Sequence, residues 1–301
     1  MLRREFLLAG AAAALAPAAL AATPEDARLR VVFDRIFDDI LDNSPELVTA
    51  LGLDKGERAA AKSKLNGASV QDLDADKDRT AAHLKLLRSI DRTKLSAAAQ
   101  ANYDAVEFNL SGDEAAGRRY AYGYEGAGQP YVLSQLTGAY QDIPDFLGTQ
   151  HSIETKADAD AYLERLVAFA VVMDQEIGRV HRDRNLGVIP PDFVCARTIA
   201  QMTALRAPEP AASPLVTQLT DRVKEKGIAG NYAAAAERAV AAYVYPALER
   251  QIAVMTELKD QATPDAGVWR LMGGEAYYRD ALRNFTTTTL SPREIHQMGL
   301  E

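Results

Sequence analysis

Four histidines, His83, His151, His181 and His296, are the whole imidazole supply of this chain of 301 residues. Zinc hydrolases built on helices take two ligands from one helix face, so the pattern to find is His with His, or His with a carboxylate, at i,i+4. No histidine is followed by glutamate and no two lie close in sequence. Only His151 has a carboxylate three or four residues away, Glu154, and that pair sits where the chain enters a helix. Capping or a partly buried hydrogen bond accounts for each imidazole. Nucleophile chemistry has equally little to work with. There is no Gly-x-Ser-x-Gly elbow and no Gly-rich phosphate loop ending in Lys-Ser/Thr, and Gly126-Ala127-Gly128 lacks both a third glycine and a βαβ setting. Cys195, the single cysteine, lies among Phe193, Val194 and Ala196 and is expected to be an inert core thiol.

The elements that would position any site are helical. Thr23-Pro24-Glu25-Asp26 opens a helix whose apolar face carries Leu29, Val32, Phe33, Ile36, Phe37, Ile40 and Leu41. Asn43-Ser44-Pro45-Glu46 stops it and starts a short second helix. A charge-rich helix is expected from Leu73 to Ile90, and another after the cap Ser96, ending at Gly112. Residues 112–131, with Tyr120, Tyr122, Tyr124 and Tyr131 among glycines, read as irregular chain packed across the helices, or as a binding loop.

Thr155 opens the longest helix, to about Arg184, with the stripe Tyr162, Leu166, Phe169, Met173, Ile177 and Val180. Its terminal His181-Arg182-Asp183-Arg184 places cations at the negative end of the helix dipole, which explains the cluster structurally. Further helices follow Pro190-Pro191 and Ser213-Pro214. One from Asn231 to about Lys259 contains Pro246, which should kink it. No alternating strand pattern of useful length occurs, so the fold class is all-α, a multi-helix array.

Residues 1–21 read as a signal peptide. Arg3 and Arg4 precede an apolar run from Phe6 to Leu20, and Ala19-Leu20-Ala21 suits cleavage after Ala21. Arg3-Arg4-Glu5-Phe6-Leu7 is similar to a twin-arginine export signal, which implies a periplasmic or exported protein without a stable membrane anchor. The remaining residues, 22–301, form the helical domain. A net charge of −8 argues against nucleic acid as a partner, and 48% hydrophobic content excludes disorder.

The last forty residues are the most distinctive. Gly267-Val-Trp269-Arg-Leu-Met-Gly273-Gly274-Glu-Ala-Tyr277-Tyr278-Arg279 leads through Thr286–Thr289 to Ser291-Pro292-Arg293-Glu294-Ile295-His296-Gln297-Met298-Gly299-Leu300. This run, with Gln135–Gly138 and Ile143–Leu147 earlier, closely resembles the bacterial family called domain of unknown function 885. The resemblance implies an exported helical protein similar to gluzincin zinc metallopeptidases, about twice this length, with its His-Glu zinc motif in the second half. It therefore implies zinc for the full-length family only, and no metal ligand falls on a residue of this chain.

Ser291 and Glu294 form a capping box with Pro292 at the first helical position, yet only a couple of turns follow. The expectation is thus an N-terminal half, one wall of a clam-like helical peptidase fold, with peptide as substrate, a missing C-terminal half as partner, and no catalysis alone. Tyr277, Tyr278 and Arg279 are the candidates to face the substrate cleft, the phenols donating to a tetrahedral intermediate and the guanidinium holding a carboxylate. The alternative for these three is core packing by the tyrosines with Arg279 on the surface. For the whole chain, the alternative is a free-standing periplasmic helical binding or scaffold protein without catalysis.

Overall fold

The structure, a computed structural model, describes residues 23–123 and 128–301. The signal peptide and Tyr124–Ala127 of the tyrosine-rich segment lie outside the described residues.

Among the described residues the chain forms twelve α-helices and no strand beyond an isolated bridge between Ser134 and Thr137, so the protein is all-α. α1 (Pro24–Asn43) starts as its sequence dictates: Thr23 and Asp26 close a capping box, and Leu29, Val32 and Ile36 turn one face inward. After α2 (Pro45–Ala50) and a 3-10 turn at Gly56–Ser63 comes α3 (Val70–Leu87), again opened by a capping box, here Ser69 with Asp72. α4 (Ala97–Arg119) packs along α3, and with α1 the pair encloses a core of Leu29, Ile36, Leu87, Ile90, Leu95 and Tyr103.

α4 does not end at Gly112 as expected from sequence; it runs on to Arg119. A Cβ at position 112 would lie 3.0 Å from the Asn284 side chain, so this glycine serves a close approach between helices rather than a stop.

The larger core surrounds α6 (Lys156–Asn185), thirty residues long and capped by Thr155 and Asp158. α5 (Ala139–Thr149), α7 (Asp192–Arg206), α8 (Pro214–Glu225) and α9 (Tyr232–Ala239) gather about it, together with α10 (Tyr245–Gln261). Phe169, Met173, Met202, Leu219, Leu248 and Met255 are fully enclosed there. The helix that carries Pro246 is not regular before it. Val240–Val244 widens into a π-helical turn in which the Tyr245 N–H donates to Val240 O, five residues back. That extra residue accommodates the missing proline N–H while Val240 and Val244 stay buried.

Arg165 of α6 ties α2 and the Gly56–Ser63 turn to the central helix. It is completely buried and donates to Lys64 O (2.9 Å), Thr49 Oγ1 (2.7 Å), Ala61 O (3.1 Å) and the His151 ring (2.7 Å). α11 (Gly274–Thr286) lies against α4, and α12 (Pro292–Leu300) follows with its Ser291–Glu294 capping box formed and no residue buried.

Candidate ligand cleft

Helical spacing sets Leu73, Asp76, Lys77, Thr80 and His83 along one face of α3, and Leu110, Asp113, Ala116 and Gly117 along the facing side of α4. Between them, floored by Ile40 and Asn43 of α1, lies a cavity of about 530 Å³. Tyr120, Tyr122 and Gly123 form its rim with Asn284 of α11. A second cavity, about 160 Å³, shares Leu73 and Asp76 and extends to Glu46, Asp142, Glu176 and Arg179. The two cavities adjoin at Leu73 and Asp76.

The charges in this cleft are unevenly satisfied. Arg79 pairs with Asp76, and Lys77 stands 3.7 Å from Asp74. His83 Nε2 lies 2.8 Å from Asp39. Glu176 is buried, accepting from the Ala139 N–H (2.8 Å) and from Gln251 Nε2 (2.9 Å). Burial pushes its carboxyl up to about 7 against those two hydrogen bonds. Asp113, an exposed side chain, has no hydrogen bond or ion pair with any described residue, and partial desolvation raises its carboxyl above the ordinary value.

One turn apart on α6, Arg179 and Asp183 grip the rim. Arg179 Nη2 donates to Gly123 O (2.8 Å), and Asp183 accepts from the Gly123 N–H (3.0 Å). Arg182 pairs with Asp183 at 2.8 Å. The charged end of the central helix therefore does more than answer the dipole: it fixes the backbone of the tyrosine-rich segment. Signal for this was present in the sequence, because Glu176 and Asp183 fall on the same stripe as Met173 and Val180, where an ionisable group demands a partner.

Tyr277, Tyr278 and Arg279 are not brought together by the fold. Tyr277 is buried, and its hydroxyl accepts from the Gly128 N–H at 2.8 Å. It stacks on Tyr122 with ring centroids 5.6 Å apart and meets Tyr120 edge-on at 4.9 Å. Tyr120 in turn donates to Asp280 (2.7 Å) and Tyr122 to Met272 O (3.2 Å). Tyr278 is half exposed, and Arg279 points outward to Glu275 at 2.8 Å. Tyr277 thus backs the cleft rim through Tyr120 and Tyr122, while Tyr278 and Arg279 leave on the opposite side of α11.

His151 does not engage Glu154, which pairs with Lys226 at 2.6 Å. Its Nε2 lies 2.9 Å from Asp158 O, its Nδ1 faces Arg165, and burial lowers the imidazole to about 4. Among the described residues no group of three or more His, Cys, Asp or Glu side chains is placed to hold a metal. Cys195 is buried, its thiol pushed up to about 11 by desolvation. No helix of the described residues is long and apolar enough to cross a membrane.

The fold and cleft define an all-α, multi-helix protein. Its backbone is similar to the crystal structure of a putative lipoprotein from Colwellia psychrerythraea, with a TM-score of 0.84 at 18% sequence identity. The alignment covers 92% of this chain and 48% of that one, so the chain spans about half the length of its structural relative. Residues 45–301 match the model of the family described as bacterial protein of unknown function, DUF885, and the chain belongs to that family. No curated protein matches the sequence.

Proposed function

We propose that this chain is the N-terminal helical portion of an exported zinc-metallopeptidase-like protein. It supplies one wall of a peptide-binding cleft, and the zinc-holding residues belong to polypeptide outside it. The observation that carries this reading is the cleft itself, a cavity of about 530 Å³ whose walls alternate apolar groups such as Ile40, Leu73 and Leu110 with hydrogen-bonding ones such as Asn43, Thr80 and Asn284. Peptides need both, because side chains seek apolar cover while backbone amides must be paired. Family membership and a structural relative of about twice the length support the same view.

A second reading has one observation in its favour. The core around α6 is closed, with many residues of zero exposure, as a free-standing helical binding or scaffold protein requires. Zinc content and peptide hydrolysis separate the two, measured on this chain alone and on a chimera joining it to the second half of a full-length family member. The first reading expects no stoichiometric zinc and no hydrolysis from the chain alone, and chelator-sensitive hydrolysis from the chimera. Tight zinc in the isolated chain overturns it, and a folded chimera that binds peptide without cleaving it favours the scaffold.

A further inference from the structure

Large apolar side chains left in solvent crowd into the last part of the described chain. Trp269 and Met272, in the turn before α11, are 69% and 67% exposed, and Phe285 of α11 is 77% exposed. Met298 and Leu300 of α12 are exposed as well. Elsewhere among the described residues such side chains stand singly or in pairs, as on any protein surface.

α11 has two apolar sides where a surface helix needs one. Tyr277 and Ala281 face inward, against Tyr120 and Tyr122. Beside them Tyr278, Leu282 and Phe285, at i, i+4 and i+7, form a second stripe, with Tyr278 and Phe285 exposed and Leu282 half-buried. At the N-terminal end of the helix, Trp269, Gly273, Glu275 and Arg279 line a shallow groove of about 490 Å³. Glu275 and Arg279 pair with each other, so the groove offers no unbalanced charge.

α12 repeats the pattern. Its capping box and Pro292 start it firmly, and Ile295 and Met298 fall on one face with Arg293, Glu294 and Gln297 on the other. None of its nine residues is buried. A helix this short draws its stability from packing an apolar face rather than from propensity.

The structural relative points to what packs there. Of this chain 92% matches only 48% of that one, so the relative carries about as much polypeptide again on the same helical framework. α11 and α12 lie inside the family match over residues 45–301. We propose that the outward faces of α11 and α12, with Trp269 and Met272, seat the polypeptide that the longer relative has and this chain does not match. That partner presents an apolar, uncharged surface to them. The proposal rests on the reading of this chain as the N-terminal portion of a longer protein.

The test is hydroxyl-radical footprinting of the full chain and of its chimera with the second half of a full-length family member, with oxidation read at single residues by mass spectrometry. In the chain alone Trp269, Met272, Phe285 and Met298 should oxidise freely. In the chimera each is expected to react at least about fivefold more slowly, while Phe37 and Phe193, exposed on other helices, keep their rates. The double substitution Met272→Glu/Met298→Glu should leave the Tm of the isolated chain within about 1 °C. It should lower that of the chimera by about 3 °C or more, because only there is the added charge buried. A second chimera, built from another full-length member, guards against a joint that fails to fold.

Unchanged oxidation of the four residues in both chimeras, or a double substitution equally silent in chain and chimeras, overturns the proposal. So does a dimer of the isolated chain, seen by sedimentation, in which the same residues are already protected, since the occupant is then a second copy. Protection in a chimera that binds no zinc and cleaves no peptide keeps the docking face and removes the peptidase reading. Chelator-sensitive hydrolysis with all four residues still open does the reverse.

Discussion

The Gly128 amide donates to the Tyr277 hydroxyl at 2.8 Å, tying the tyrosine-rich segment to a helix nearly 150 positions later in the chain. The same ring packs on Tyr122 and Tyr120, which line the cleft. The link makes Tyr277 a support of the rim. Tyr277→Phe keeps the ring and removes the acceptor, leaving a partly buried N–H short of a partner. A loss of about 1–2 kcal/mol in urea unfolding is expected. Tyr278→Phe, at a half-exposed ring on the other side of the helix, should change stability by less than about 0.5 kcal/mol. Equal effects from the two substitutions would contradict the geometry.

Glu176 gives stability a specific pH dependence. Its folded carboxyl is raised from 4.5 to about 7, so the folded chain binds this proton more tightly than the unfolded one. The contribution is complete below pH 4.5 and is lost as pH rises through 7. His151 acts with the opposite sign: its imidazole, lowered from 6.5 to about 4, supports the fold at neutral pH and ceases to as pH falls through that range. Glu176→Gln removes only the first effect. The stability of the variant minus that of the parent should therefore rise between pH 4.5 and 7, by roughly 3 kcal/mol at most. A flat difference curve would show that Glu176 titrates normally.

Thr287 closes α11 in the left-handed region, at φ 54°, the one non-glycine residue with positive φ among those described. A β-branched side chain is poorly suited to that conformation. Thr287→Gly should stabilise by about 1 kcal/mol, read as an upward shift in Tm. A fall in Tm would mean that the threonine makes contacts worth more than its strain.

Gly274 begins α11 directly against the preceding turn. A Cβ there would sit 1.7 Å from Val268 O, a backbone atom that cannot swing aside. Gly274→Ala should cost about 3 kcal/mol or more and expose Tyr277 to solvent, visible in tyrosine fluorescence. Gly299, where no atom lies within 4 Å of an added Cβ, is the control and should tolerate alanine without measurable loss of fold.

Much of the fold could be read along the chain. The Thr155–Asp158 and Ser291–Glu294 boxes begin their helices where the residue types demand, and the Phe169–Met173–Val180 stripe lies inward as its spacing requires. Local rules suffice there because a cap or an amphipathic face is defined within one or two turns. Gly112 and Pro246 show where they stop. A glycine that reads as a helix end admits a neighbouring helix, and the proline expected to kink its helix is preceded by a π turn. Both outcomes depend on what packs opposite.

The cleft belongs to that second category. By itself the sequence determined an all-α chain, its helix starts, the membership announced by the Gly273-Gly274 to Gly299 run, and the scarcity of histidine chemistry. Only the tertiary structure decided that Tyr277 lies inward while Tyr278 and Arg279 lie outward, and that Asp183 and Arg179 seize Gly123. The reason is physical. Periodicity tells which side of a helix is apolar, but whether a charged residue on it is neutralised depends on groups many positions away that arrive only when the helices pack.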